Sequence, residues 1–356
     1  MVCPLHGTSF VYDESLLAYD FGTDHPLKSD RIKKCLAILS ANNVIGGNQS
    51  KNLVVPPRNS SDEELLLFHT EAYLEFVKGA SKTGKVFLDA GDTPAFPGCY
   101  EASLKVVGAT LKAIELVVSG RSEHATNFSG GLHHARKGNA SGFCIFNDCA
   151  VGLSILKKSF SRIAYIDIDA HHGDGVVYGF YDDPDVLAVD IHQDGNTLFP
   201  GTGHQYEVGS GEGEGNTINL PVPPGSGDDI LLTLAREVVV PALRKQKPAF
   251  IILQCGADGL EGDPLAQLSY TAGGYISFVK QIHEASHELC NGRLVLVGGG
   301  GYNPDATANC WAAEYAAISC VDFSPEIKMP LSKSNRWTME KIRQMAVSVR
   351  ESFGLD

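Results

Sequence analysis

Residues 162–175 read Arg-Ile-Ala-Tyr-Ile-Asp-Ile-Asp-Ala-His-His-Gly-Asp-Gly, and no other stretch limits the fold as tightly. A short apolar run (Ile163, Ala164, Tyr165, Ile166, Ile168) leads into Asp167, Asp169, His171, His172 and Asp174. Runs of this kind are strands buried on both faces of a sheet. Carboxylates at the end of such a strand cost several kcal/mol to bury unless something pairs with them. A divalent metal with partner histidines resolves that cost. The segment from Asp167 to Asp174 is therefore read as the rim of a metal site.

The same grammar of apolar strand, glycine-rich loop and helix recurs along the chain. Strands are expected at 125–128, 162–168, 186–191, 250–254 and 294–297, and helices at 31–41, 70–80, 100–118, 147–158, 228–246, 271–290 and 304–319. Ser61 and Glu64 have capping-box spacing and open a further helix. Residues 90–98 carry two prolines and two glycines and read as loop. Strands alternating with helices predict an α/β fold with a central, mostly parallel sheet flanked by helices. With no linker, repeat or low-complexity segment, residues 1–356 are expected to form a single domain.

Charge and cysteine usage narrow the function classes. A net charge of −13 argues against a nucleic-acid partner. No apolar run approaches the roughly 18 residues of a membrane span, and residues 1–10 lack the basic and apolar regions of a signal peptide. The nine cysteines are scattered without a C-x-x-C pair, which predicts reduced thiols and a cytoplasmic protein.

Four segments place polar residues just after an expected strand: 130–134, 167–174, 256–258 and 298–302. Sites in open parallel sheets form at the carboxyl ends of strands, so these loops should converge. Asp169, His171 and Asp258 would offer two carboxylates and one imidazole, acceptable for zinc with an open position, and also for Fe(II) or Mn(II). Taken singly, Asp258 is as well explained as a turn cap and His171 as a satisfied loop histidine. The adjacent His133 and His134, oriented by Asp167 and Asp174, would suit general-base hydrolysis, although an isolated His-His pair is by default a surface feature. Gly298–Gly301 permits close approach of backbone to a ligand, without the spacing of a phosphate loop. Tyr302 after it could hydrogen-bond an oxyanion or simply pack.

Set side by side, these motifs resemble the zinc-dependent histone deacetylase family. The match runs from about Tyr19 to Trp311 and includes H-P-L-K-x-x-R at 25–31, L-L-L-F-H-T at 65–70, G-G-L-H-H-A at 130–135, S-G-F-C-I-F-N-D at 141–148, Y-I-D-I-D-A-H-H-G-D-G at 165–175, F-P-G-T-G at 199–203, C-G-A-D at 255–258, G-D-P-L at 262–265 and G-G-G-G-Y at 298–302. G-G-L-H-H-A and F-Y-D-D-P-D-V at 180–186 look most like the prokaryotic acetoin-utilisation deacetylases.

The resemblance implies the arginase/deacetylase fold and hydrolysis of N-acetyl-lysine in proteins or peptides. It makes Asp169, His171 and Asp258 the zinc ligands, with Fe2+ an alternative metal. It makes His134 the general base paired with Asp174, and His133, paired with Asp167, the electrostatic partner or proton donor. Tyr302 becomes the residue that polarises the acetyl carbonyl. Phe143 and Phe199 wall the lysine tunnel beside Gly142, Asp92 holds substrate backbone at the rim, and Arg31 lines an acetate-exit channel. A structural K+ is implied near Asp167, Asp169, His171 and Asp190-Ile191, and hydroxamate-type inhibitors are expected to bind. Leu132 departs from a common tryptophan and Asp190 from a common serine, while Leu265 replaces the glutamate of polyamine deacetylases. His172 is left with a structural role. Rival readings are deacetylation of small acetylated amines such as polyamines, a binuclear manganese ureohydrolase, and a non-catalytic scaffold or sensor.

Overall fold

The computed structural model describes residues 7–46, 51–323 and 331–355. The strands are β1 (Thr8–Val11), β2 (Leu53–Val55), β3 (His124–Asn127), β4 (Ile163–Asp167), β5 (Val186–Gln193), β6 (Thr217–Val222), β7 (Phe250–Gln254) and β8 (Leu294–Val297). The helices are α1 (Arg31–Ala41), α2 (Asp62–Leu65), α3 (Glu71–Ser81), α4 (Cys99–Val118), α5 (Asp148–Leu156), α6 (Asp174–Gly179), α7 (Asp228–Leu234), α8 (Val240–Gln246), α9 (Ala272–Cys290), α10 (Pro304–Ile318) and α11 (Arg336–Phe353).

All eight strands form one parallel sheet in the order β2-β1-β3-β8-β7-β4-β5-β6. β4 and β7 are buried along their whole length and apolar up to their last residues, Asp167 and Gln254, as strands covered on both faces must be. One set of helices packs together around α4, α3 and α5, and another around α10, α1 and α9. The site depends on register. Asn127 pairs with Val297, Val297 with Gln254 and Gln254 with Asp167, so β3, β8, β7 and β4 end in one row at the centre of the sheet. The loops leaving them have no choice but to meet.

Local chemistry fixes the helix starts. Ser61 accepts from Glu64 N, and the Glu64 carboxylate accepts from Ser61 N, completing the capping box at α2. Asn147, Thr271 and Asn303 cap α5, α9 and α10 through side-chain oxygens. Residues 228–246, expected as one α-helix, instead pass through a π-helical turn at Ala235–Val239. Pro241 explains it, because proline has no N–H to donate and its ring crowds the carbonyl four residues back. β1, β2, β6, α6 and α11 add to the expected elements. Cys35, Cys99, Cys144, Cys149, Cys255, Cys290 and Cys310 are free thiols, and Cys3 lies outside the described residues, as does the beginning of the N-terminal segment read for a signal peptide.

Trp311 of α10 ties this frame to the site. It is fully buried, stacks on Phe128 with ring centroids 5.2 Å apart, and donates from Nε1 to Cys255 O at 2.8 Å. Trp311→Ala should therefore lower unfolding stability by about 3–5 kcal/mol, the usual cost of truncating a buried large aromatic. Urea denaturation measures this, and a loss below about 1 kcal/mol would contradict the packing described.

Candidate active site

β4 stops at Asp167, whose Oδ1 accepts from Asp169 N at 3.0 Å and turns the chain. The turn sends Asp169 back across the strand ends, where its Oδ2 accepts from Gly300 N at 2.7 Å and Gln254 Nε2 at 2.9 Å. Asp258, in the loop after β7, accepts from Ala170 N at 2.8 Å through Oδ1 and turns Oδ2 toward His171 Nδ1, also 2.8 Å away. His171 Nδ1 is 3.2 Å from Asp169 Oδ1. One ligand atom from each of Asp169, His171 and Asp258 falls within 4.8 Å of the others, and all three residues are buried. The glycine run permits this closeness: a Cβ on Gly300 would sit 2.0 Å from Asp258 Oδ2.

Electrostatics state what this cradle favours. Burial pushes the Asp258 carboxyl up to about 7, reinforced by Asp169. Burial alone would lower His171, yet Asp169 and Asp258 hold it at about 10. Two buried carboxylates thus draw positive charge to their midpoint, and a divalent cation supplies more of it than a proton. The donor set fits a metal with oxygen and nitrogen preference.

Beside it lie two parallel carboxylate–imidazole pairs. His133 Nδ1 is 2.8 Å from Asp167 Oδ2, which also accepts from Tyr165 Oη at 2.5 Å. His134 Nδ1 is 2.8 Å from Asp174 Oδ1, while Asp174 Oδ2 accepts from Arg136 Nε at 2.9 Å and Nη2 at 2.6 Å. The two Nε2 atoms face each other at 3.1 Å. Both rings cannot carry charge at that separation. Burial opposes protonation at His133, but Asp167 and Asp169 raise it to about 10. Burial and then the His133 charge lower His134 to about 4, with Asp174 only partly offsetting them. Groups pushed apart in this way divide acid and base roles.

A cavity wall formed by Leu27, Leu132, Phe143 and Tyr302 leads to His133, His134 and Asp169. Phe143 is held at φ 68°, next to Gly142 at φ 53°, in a turn closed by Ser141 and Cys144. Such a conformation costs a non-glycine residue on the order of 1–3 kcal/mol and needs support. Thr93 Oγ1 accepts from Phe143 N at 3.0 Å, and Tyr19 Oη donates to Phe143 O at 2.8 Å. The first position must be glycine, since a Cβ there would lie 2.4 Å from His134 Cδ2. The Phe143 ring meets Tyr302 edge-on at 5.9 Å, and Phe199, 44% exposed, meets His134 at 5.1 Å. Burial keeps the Tyr302 phenol protonated and therefore a donor.

Asp92 lies at the outer rim with Ser141 and Phe199, its carboxyl raised to about 6 by burial and by Asp89. Arg31 is buried over Trp311 and donates to Gly299 O at 3.1 Å and Gly301 O at 2.7 Å, bracing the glycine run. It lines a second cavity that shares Leu27 and Leu132 with the first. Leu265 is half-buried, and its N–H donates to Asp263 Oδ1. At the position read for a structural K+, Asp190 Oδ2 accepts from Gly173 N, and its Oδ1 is 2.6 Å from His192 Nδ1. Burial alone would lower His192; Asp190 and the Gly203 carbonyl, 2.9 Å from its Nε2, raise it. His172 is buried against His192, with Nδ1 2.8 Å from Thr202 Oγ1, away from the cradle.

Several residues here did not stand out individually in the sequence. Asp263 accepts from Tyr302 N at 2.8 Å, Gln254 bridges to Asp169, Arg136 clamps Asp174, and Asp148 accepts from Gly131 N and Leu132 N at 3.0 and 2.8 Å. Asp148 and Asp263 do sit inside the motifs that carried the resemblance, and their acidic character beside glycine-rich loops is the signal that could have found them.

Comparison with known proteins agrees with this geometry. Residues 25–318 match the family model described as histone deacetylase domain. The chain is 41% identical over 316 residues to the acetoin utilization protein AcuC of Bacillus subtilis (strain 168), covering 85% of this chain and 80% of the relative. It is 34% identical over 343 residues to the acetoin utilization protein AcuC of Staphylococcus aureus (strain MRSA252), covering 94% and 87%. The chain belongs to the histone deacetylase family, and it is a hydrolase that deacetylates acetylated substrates.

Proposed function

We propose that this deacetylase removes acetyl groups from the ε-amine of acetyl-lysine in proteins or peptides, using a zinc ion, or Fe2+, held by Asp169, His171 and Asp258. The observation that carries the reading is the pair of Asp–His couples, Asp174–His134 and Asp167–His133, facing that cradle with their Nε2 atoms 3.1 Å apart. A bound metal supplies Lewis acidity to the acetyl carbonyl and acidity to a water.

The chain's own residues do the rest. His134 Nε2, neutral and oriented by Asp174, accepts the proton of the attacking water. The Tyr302 hydroxyl donates to the carbonyl oxygen as negative charge develops there, a contribution of about 2.7–4 kcal/mol for a single such donor. His133, protonated under the influence of Asp167, gives its proton to the departing amine. Phe143 and Phe199 receive the aliphatic lysine stem and exclude water from it. The Asp92 carboxylate accepts substrate backbone N–H groups at the rim. The cavity beside Arg31 receives acetate, whose charge the guanidinium offsets. Leu265, an apolar side chain beside the site, offers no anion to a polyamine's second amine. K+ is assigned to the Asp167, Asp169, His171 and Asp190-Ile191 backbone, with the whole chain acting as one cytoplasmic catalytic unit.

The test is a substrate panel on metal-reconstituted protein. Acetyl-lysine peptides should be hydrolysed, chelator or hydroxamate should abolish turnover, and acetylpolyamines should be poor substrates; the reverse preference would overturn the protein-substrate reading. Tyr302→Phe should reduce kcat at least about tenfold while metal content by elemental analysis stays unchanged. Equal turnover would remove its role as donor.

The pH profile separates the two histidines. His134 acts while neutral, so activity falls as pH drops through its pKa; His133 acts while protonated, so activity falls as pH rises through its own. Asp167 holds the proton on His133. Asp167→Asn should therefore move the alkaline limb of kcat/KM to lower pH and leave the acid limb in place. Positive charge in the cradle lowers both limbs without changing that sign. A shift confined to the acid limb would reverse the assignment.

A further inference from the structure

At the other end of the sheet, three imidazoles converge. His124 is the first residue of β3, and His283 and His287 lie four apart on α9, on one face of the helix. His283 Nε2 is 3.0 Å from His124 Nε2 and 3.0 Å from His287 Nε2. The rings stand nearly perpendicular to one another, at 78°, 88° and 86°. His124 and His283 are fully buried and His287 nearly so.

Hydrogen bonding does not account for this arrangement. A neutral imidazole nitrogen carries either one in-plane proton or one in-plane lone pair, so it makes one good hydrogen bond. His283 Nε2 faces two partners at hydrogen-bond distance and can satisfy one. A fully protonated cluster is no better placed, since three buried cations with their ring nitrogens within 4.8 Å of one another would repel. Among the described residues the Nδ1 of His283 has no hydrogen-bond partner and that of His124 faces only the Gly292 backbone, so neither compensates.

We propose that His124, His283 and His287 form a second, structural metal site for a divalent zinc-class ion, bound through three Nε2 lone pairs. Zinc–nitrogen bonds of 2.0–2.1 Å at tetrahedral angles put ligand nitrogens about 3.3 Å apart, close to the two 3.0 Å separations made by His283 Nε2. Perpendicular rings keep the three imidazoles from colliding around one ion. The Glu123 carboxylate, 3.5 Å from His287 Nδ1, sits where an outer carboxylate orients a metal-bound histidine. Among the described residues no carboxylate supports His124 or His283 in this way, so the site binds roughly 10–100-fold more weakly than a fully supported one. Residues 283–287 read His-Glu-Ala-Ser-His, the spacing of helical zinc proteases, but Glu284 is exposed while the imidazoles are buried. The site is therefore a clamp between β3 and α9, not a second hydrolytic centre. It is independent of the substrate and mechanism proposed above.

The experiment titrates chelator-stripped full-length protein with Zn2+ and reads stoichiometry by elemental analysis and melting temperature. Wild type should bind about two ions per chain. The double variant His283→Asn/His287→Gln should bind about one and keep its deacetylase activity. Asp258→Asn should bind about one and still melt higher on adding zinc, a gain the triple variant loses. If the double variant unfolds by circular dichroism, His287→Gln alone, at the least buried ligand, should weaken the second ion at least tenfold. Co2+ in the Asp258→Asn protein should give the visible d–d bands of a tetrahedral site. A single zinc in wild type, or undiminished stoichiometry in the histidine variants, overturns the proposal.

Discussion

Two carboxylates buried at adjacent strand ends are the constraint from which the active centre follows. Asp169 and Asp258 stand at the carboxyl ends of β4 and β7, which are neighbours in the middle of the sheet. Isolated, each would be too costly to keep ionised in that environment. Backbone N–H groups of Ala170 and Gly300 and the Gln254 amide offset part of the cost, and His171 offsets more of it. What remains is a concentrated demand for positive charge at one point. The fold builds everything else around satisfying it with a cation.

That demand also organises the histidine pair. A cationic His133 beside Asp167 and Asp169 depresses its neighbour His134, whose own carboxylate is shared with Arg136. Arg136 holds the second oxygen of that carboxylate, so Asp174 is shared between a guanidinium and an imidazole. The strain at Phe143 belongs to the same economy of space. Gly142 must be bare to touch His134, and the aromatic after it is forced into the left-handed region, with Thr93 and Tyr19 holding it there.

Much of this was legible in the sequence because the site uses strand ends, and strand ends announce themselves. β7 and β8 fall on the expected residues, β4 within one or two, and the loops that follow carry the residues that converge. The short outer strands were not legible, for physical reasons. β2 is three residues long with Leu53 and Val54 exposed, so it shows no buried run. β6 contains Pro221, which argues against a central strand and is tolerated at the sheet edge where β6 lies. α11 has few buried residues and reads as a solvated segment until β6 and α7 provide its surface. Within the site, Asp263, Gln254 and Asp148 act by hydrogen-bonding backbone or a carboxylate across long sequence separations, a relation no local pattern encodes.

The same reasoning applied to the opposite end of the sheet gives a different kind of centre. There the ligand atoms are all imidazole nitrogens, with no carboxylate in the inner set. Three imidazoles place no negative charge at the centre, so an ion there keeps its full charge and gains only coordination energy. Such a site, buried between β3 and α9, suits fastening one element to another, whereas the Asp-rich cradle opens onto a cavity through which a bound ion would meet a substrate. One parallel sheet thus carries an anionic, chemically active rim at its carboxyl edge and a neutral cluster at its amino edge, and the difference lies in which residue types the strand ends present.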